Sequence, residues 1–232
     1  MCDITVLGIE LAKKSFQVHG RDGKGNTVFK KAMSPSKADV FIANLKPCLI
    51  GMEACGGANY HARKYQSIGH KVKIIAPQFV KPFVCGNRND ISDAEGIAEA
   101  VSRPNIRSVP IKTRESQNLQ NYHSIRDRLI KNKVALANQI RGILYEYNIR
   151  IPKGDKHLKS KLIELSSDSI IDSILNEQIA DFYQEFIELE EKIESVTKKI
   201  EIYAKNSLEC KMLDEIPGVG LLIASAIFAK VA

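Results

Sequence analysis

The sequence predicts a mixed-sheet α/β domain over residues 1–110, an all-α coiled-coil region over 111–206 and the opening of a further segment, a helical hairpin, over 207–232. Three observations predict it. Short apolar runs separated by turn residues fill the first hundred positions, first as a hairpin-rich stretch and then as helix and strand in alternation. Residues 114–147 contain no proline and a single glycine, Gly142, as one long helix would. Beyond a break at Ile151-Pro152-Lys153-Gly154, apolar residues recur in an unbroken heptad pattern.

Taken in order, Ile4 to Ile9 reads as a strand and Ser15 to His19 as a second. Asp22-Gly23-Lys24-Gly25-Asn26 then turns into Thr27-Val28-Phe29. Ser34-Pro35-Ser36 caps a helix running through Val40, Phe41 and Leu45. Cys48 to Met52 is a strand, residues 58–68 suit a helix ended by Gly69, and Val72 to Ile75 is a strand ended by Ala76-Pro77. A polar loop, Cys85-Gly86-Asn87-Arg88-Asn89, opens an alanine-rich helix. Ribonuclease H-like nucleases and integrases show this order of elements. Doubly wound folds begin similarly, so the order alone leaves both open.

In the helical region, Tyr122, Ile125, Leu129, Leu136, Ile140, Leu144 and Tyr147 mark one long helix. Leu175, Ile179, Phe182, Phe186, Leu189, Ile193, Val196, Ile200 and Tyr203 then step by 4 and 3 in strict alternation. The partner of this seam is either the preceding helix folded back or the same helix of another chain. The final Ile216-Pro217-Gly218-Val219-Gly220 joins two helices, and the backbone N–H groups around Gly218 and Gly220 are suited to receive a phosphate. The end at Ala232, inside an apolar helix, reads as a cut sequence.

Composition excludes several classes. A hydrophobic content of 44% and a charged content of 26% describe an ordinary folded protein. No apolar run approaches the roughly 18 residues of a membrane span, and no signal peptide is seen, so no membrane partner and a cytoplasmic location are expected. Five cysteines without a CxxC pair read as reduced thiols rather than zinc ligands. Charge is blocked along the chain. Residues 101–161 hold 14 Lys/Arg against 4 Asp/Glu, whereas residues 162–201 hold 3 against 11. A basic block suits a polyanion, with Arg126, Arg128, Lys131, Lys133 and Arg141 as its contacts; two solvated helix faces attracting each other is the plainer alternative.

Four acids carry the chemistry. Glu10 and Glu53 close apolar strands, and Asp90 and Asp93 stand three apart at a helix start, on one face of its first turn. Acids in a first turn are ordinary helix chemistry. Carboxylates at buried strand ends are costly unless a cation gathers them, and a divalent metal for phosphate chemistry is the usual reason. Glu95 and Glu99, further along the helix, read as solvated.

The segments Gly8-Ile9-Glu10-Leu11-Ala12-Lys13-Lys14-Ser15-Phe16, Gly51-Met52-Glu53-Ala54-Cys55-Gly56, Ile75-Ala76-Pro77-Gln78-Phe79 and Asn89-Asp90-Ile91-Ser92-Asp93 resemble the DEDD transposases of bacterial insertion sequences. These have a RuvC-like, ribonuclease H-like amino-terminal domain and are similar to the Piv-type invertases. The resemblance extends through Asn138-Gln139-Ile140-Arg141-Gly142 to Ile216-Pro217-Gly218-Val219-Gly220. It implies metal-dependent DNA cleavage and strand exchange, with Glu10, Glu53, Asp90 and Asp93 binding Mg²⁺ or Mn²⁺. It also implies a DNA partner, a structured guide RNA, and homo-oligomers formed through the coiled coil. The family's nucleophilic serine lies in a carboxy-terminal domain, and no serine here matches its motif. Glu10 also stands where the family has aspartate, and the extra methylene moves the carboxylate by roughly 1.5 Å. The expectation is therefore a transposase cut before its serine-bearing domain is complete and inactive in strand exchange alone. The alternatives are a non-catalytic nucleic-acid-binding and assembly fragment, or a structure-selective nuclease using the acids alone.

Overall fold

Alternation along the first strand decides how the amino-terminal unit is layered. Leu7 and Ile9 are fully buried on one face, which leaves Gly8 and Glu10 to the other. The computed structural model describes residues 3–84, 90–166 and 173–231, with Asp90 by its backbone alone. The expected loop 85–89 lies outside the described residues. Two units divide at Thr113 and Arg114, and each has its own core.

In the first unit, β1 (Val6–Leu11), β2 (Phe16–Arg21) and β3 (Thr27–Met33) form an antiparallel meander. Then come α1 (Pro35–Ala43), β4 (Leu49–Glu53), α2 (Ala58–Ser67), β5 (Lys71–Ile75), the short α3 (Pro77–Val80), α4 (Asp90–Ser102) and β6 (Ser108–Val109). The sheet order is β3-β2-β1-β4-β5-β6, with β1, β4 and β5 parallel and β6 antiparallel to β5. An antiparallel meander feeding a parallel half is the ribonuclease H-like arrangement, so the doubly wound alternative falls.

The strand and helix ends obey local chemistry. Ser34 caps α1 by accepting from the Lys37 amide at 3.4 Å, and Gly69 ends the α2 turn with φ +94°. Helices α1 and α2 cover one sheet face through Ala38, Ile42, Ala62 and Tyr65. Tyr65 is fully buried, and its hydroxyl donates to Asp39 at 3.0 Å. On the other face α4 lies directly on the strands. A Cβ at Gly8 would overlap the Ala94 carbonyl oxygen and come within 2.6 Å of the Ala98 nitrogen; one at Gly51 would meet Val101 Cβ at 2.8 Å.

The second unit comprises α5 (Arg114–Glu146), α6 (Asp155–Ser166), α7 (Ser173–Asn206), α8 (Leu208–Asp214) and α9 (Leu221–Val231). Helices α5 and α7 run antiparallel: Arg126 Nε donates to Thr197 Oγ1 at 2.9 Å, and Lys133 lies 3.7 Å from Glu190. The heptad seam thus meets the basic helix of its own chain. Leu175, Ile179, Phe186, Leu189 and Ile200 are buried, and Phe182, Ile193, Val196 and Tyr203 pack beside them. Leu129, Leu136, Ile140 and Leu144 answer from α5, while Tyr122, Ile125 and Tyr147 stay exposed. The α8–α9 hairpin packs on these two helices through Leu119, Ile200 and Ala229. His123 Nε2 donates to Ser225 Oγ at 3.0 Å, because that hydroxyl gives its own proton to the Leu222 carbonyl. Among the described residues no helix is long and apolar enough to cross a membrane.

Candidate metal site and nucleic-acid surface

Parallel pairing sets Ile9 beside Met52, so the next residues of that register are Glu10, one before the end of β1, and Glu53, the last of β4. Neighbouring strands lie about 4.8 Å apart. Alternation from Gly8 and Gly51, both covered by α4, puts the two carboxylates on the α4 face. One Glu10 oxygen, Oε2, is buried. Burial raises the pKa of the Cys55 thiol, and the negative charges of Glu10 and then Glu53 raise it further. A single thiol two residues past Glu53 therefore senses both acids. The sequence reads Cys55 only as a reduced thiol, and nothing in its spacing signals its nearness to the two acids.

Helix α4 runs against the direction of β1. Arg21, opposite Val6, bonds Glu99, whereas Lys30, in the row of His19 and Gly8, lies 3.5 Å from Glu95. Helix numbering falls as strand position rises, so the first turn, with Asp93, points toward the row of Glu10. The Asp90 side chain lies outside the described residues. Among the described residues no three His, Cys, Asp or Glu side chains are gathered to hold a metal ion. The two strand-end glutamates are a pair of oxygen donors, which is the chemistry a hard divalent cation takes. On this donor chemistry the residues fit such an ion, although they do not yet encircle one.

The expectation that Glu95 and Glu99 are solvated is corrected for Glu99, whereas the Glu95 side chain stays 43% exposed. Glu99 bonds both Arg21 and Arg103, and Glu95 joins Lys30 and Arg21, because α4 packs over β1 and β2 and brings these acids near the cations of β2 and β3. The Arg21 hydrogen bond, followed by that of Arg103, holds the Glu99 carboxyl below its ordinary range. A pKa depressed in the folded state gives stability that is present above the unfolded value of about 4.3 and lost as pH falls through the folded one. Chemical denaturation from pH 7 to pH 3 should therefore show a weaker acid dependence in Glu99→Gln than in the parent. Parallel curves would remove Glu99 as a contributor.

The five cations read as one polyanion surface divide. Arg126 is bonded to Thr197. Lys133 bridges Asp155 at 2.7 Å and Glu190 at 3.7 Å, above the Phe186 ring. Arg141 donates to the carbonyls of Ala137 and Gly154, the latter at 3.2 Å. Arg128 and Lys131 project into solvent. Part of the basic block thus serves to hold α5, α6 and α7 together, as the plainer sequence alternative had it. Gly218 adopts φ +86° in the turn before α9, and the Gly220 carbonyl accepts from the Ile223 and Ala224 amides at 2.9 Å.

A ribonuclease H-like unit with carboxylates at its central strand ends, followed by a helical unit, defines the broad class. A family model described as "Transposase", that of the IS110-type DEDD transposases, matches residues 7–149. The chain belongs to this DEDD transposase family. It is 35% identical, over 98% of its length, to 68% of a probable family 20 transposase of Pseudomonas aeruginosa. It is 35% identical, over 99% of its length, to 69% of the transposase for insertion sequence element IS1328 of Yersinia enterocolitica. The transposase for insertion sequence element IS1111A of Coxiella burnetii is 37% identical over 100% of this chain and 64% of its own length.

Proposed function

We propose that the chain acts in DNA transposition, through metal-dependent cleavage and exchange of DNA strands at the end of the sheet. The observation that carries this reading is the parallel pairing that sets Glu10 beside Glu53 on adjacent strands. Its relatives are named as transposases. Glu10, Glu53, Asp90 and Asp93 would hold Mg²⁺ or Mn²⁺. Bound there, the ion neutralises charge on the scissile phosphate and its leaving oxygen. The chain's own contribution is to place the glutamates, since α4 packs directly on Gly8 and Gly51, two residues before each of them. Exposed Arg128 and Lys131 would contact DNA or guide-RNA phosphates, and outer faces of the helical unit would pair copies of the chain. No serine here is assigned as nucleophile.

The test is thermal unfolding with and without Mg²⁺ or Mn²⁺. An ion that binds only the folded state adds RT ln(1 + [L]/Kd), about 2.7 kcal/mol at a hundredfold excess over Kd. Glu10→Gln/Glu53→Gln should lose that shift while still folding. An undiminished shift in the double variant would take the metal away from these residues.

A further inference from the structure

The edge of the sheet farthest from β6 carries a second basic feature that the basic helix does not explain. A groove of about 540 Å³ opens between β3 and α1, lined by Ser15, Lys31, Ser34 and Lys37 over a floor that includes Phe29 and Phe41. The two rings are stacked at 4.4 Å, and no acid lines the groove. Successive lysines of β3 point to opposite faces: Lys30 lies 3.5 Å from Glu95 of α4, whereas Lys31 faces the groove. Lys13 and Lys14 are exposed on the turn joining β1 to β2, directly before Ser15. Among the described residues none of Lys13, Lys14, Lys31 and Lys37 stands in an ion pair.

Charge on an edge strand guards against edge-to-edge pairing, which accounts for Lys31 alone. It leaves Lys37 unexplained, since that residue sits in the first turn of α1, where a positive charge opposes the helix dipole and no acid offsets it. It leaves the turn lysines unexplained as well. Their position is informative: Lys13 and Lys14 follow Glu10 by three and four residues, at the same end of the sheet as Glu53.

We infer that Lys31, Lys37, Lys13 and Lys14 form a track for the DNA sugar-phosphate backbone, running from the β3–α1 groove past the β1–β2 turn to the strand-end acids. The choice of DNA as occupant rests on the transposition reading above; the acid-free, lysine-rich groove is independent of it. The track would hold the flank of the strand whose phosphate reaches Glu10 and Glu53.

Two measurements on the full chain test this. In fluorescence anisotropy with a labelled DNA duplex, the salt slope should become shallower in Lys31→Gln/Lys37→Gln by roughly 0.9 for each phosphate contact removed. The slopes are measured in EDTA, where no divalent ion is held, so a failure of the metal site is read separately. In the unmutated protein, amine acetylation of Lys31 and Lys37 should slow several-fold when DNA is bound. An unchanged slope in the folded double variant would overturn the track. So would equal labelling with and without DNA, or protection by an RNA duplex but not by DNA.

Discussion

Gly8→Ala should destabilise the amino-terminal unit by about 3 kcal/mol, at the upper end of what overpacking a core costs. The added methyl has nowhere to go, because its neighbours are the Ala94 carbonyl and the Ala98 amide of α4, which are backbone and cannot rotate away. Either β1 bends or α4 lifts. In both cases the first turn of α4 leaves the row of Glu10, so the Mg²⁺-dependent rise in melting temperature should fall along with stability. Gly142→Ala is the contrast. That glycine lies inside α5 with open space around a new Cβ, and the substitution should stabilise by about 0.5–1 kcal/mol. Urea unfolding of the two variants separates close packing from helix propensity. Equal effects of the same sign would show that α4 does not rest on β1 as described.

Phe186→Ala should cost the helical unit about 3–5 kcal/mol, the range for removing a fully buried aromatic ring. The ring sits within the core that joins α5, α6 and α7, and it lies 5.6 Å beneath the Lys133 ammonium. Lys133 would then lose its aromatic face while keeping Asp155 and Glu190, so its cation–π contribution, about 0.5–1 kcal/mol, is included in the total. The measurement is helical circular dichroism against urea, with the metal-dependent thermal shift followed in parallel. Loss of helical stability with the metal response retained is the expected pattern. A variant as stable as the parent would mean that the heptad seam is not a core.

The same residues show where sequence reasoning succeeds and where it stops. The seam from Leu175 to Tyr203 was legible because helix periodicity is local: apolar residues spaced by 4 and 3 must share a stripe whatever covers it. The strands and the Ser34 cap were legible for the same reason. Which helix covers the seam was left open, since the pattern is compatible with a partner in the same chain or another. Alpha5 folded back is the answer within this chain, and it engages Arg126 and Lys133 with α7, and Lys133 also with α6. Net charge along a segment could not reveal that. A lysine facing water and one wedged between two carboxylates look identical in sequence.

The candidate site divides along the same line. By itself the sequence determined the four acids, their places at strand ends and a helix start, and the family to which their motifs belong. Residue order, turn chemistry and side-chain period are properties of neighbours along the chain. Only the tertiary structure decided that Glu10 and Glu53 adjoin on parallel strands, that Cys55 senses them both, and that Glu95 and Glu99 belong to Arg21, Lys30 and Arg103. It also set apart Lys30, paired with Glu95 of α4, from Lys31 beside the groove. The physical reason is that an electrostatic environment is fixed by distance and burial. Both arise from the register of strands and the packing of α4 on Gly8 and Gly51, which bring together residues remote in the chain.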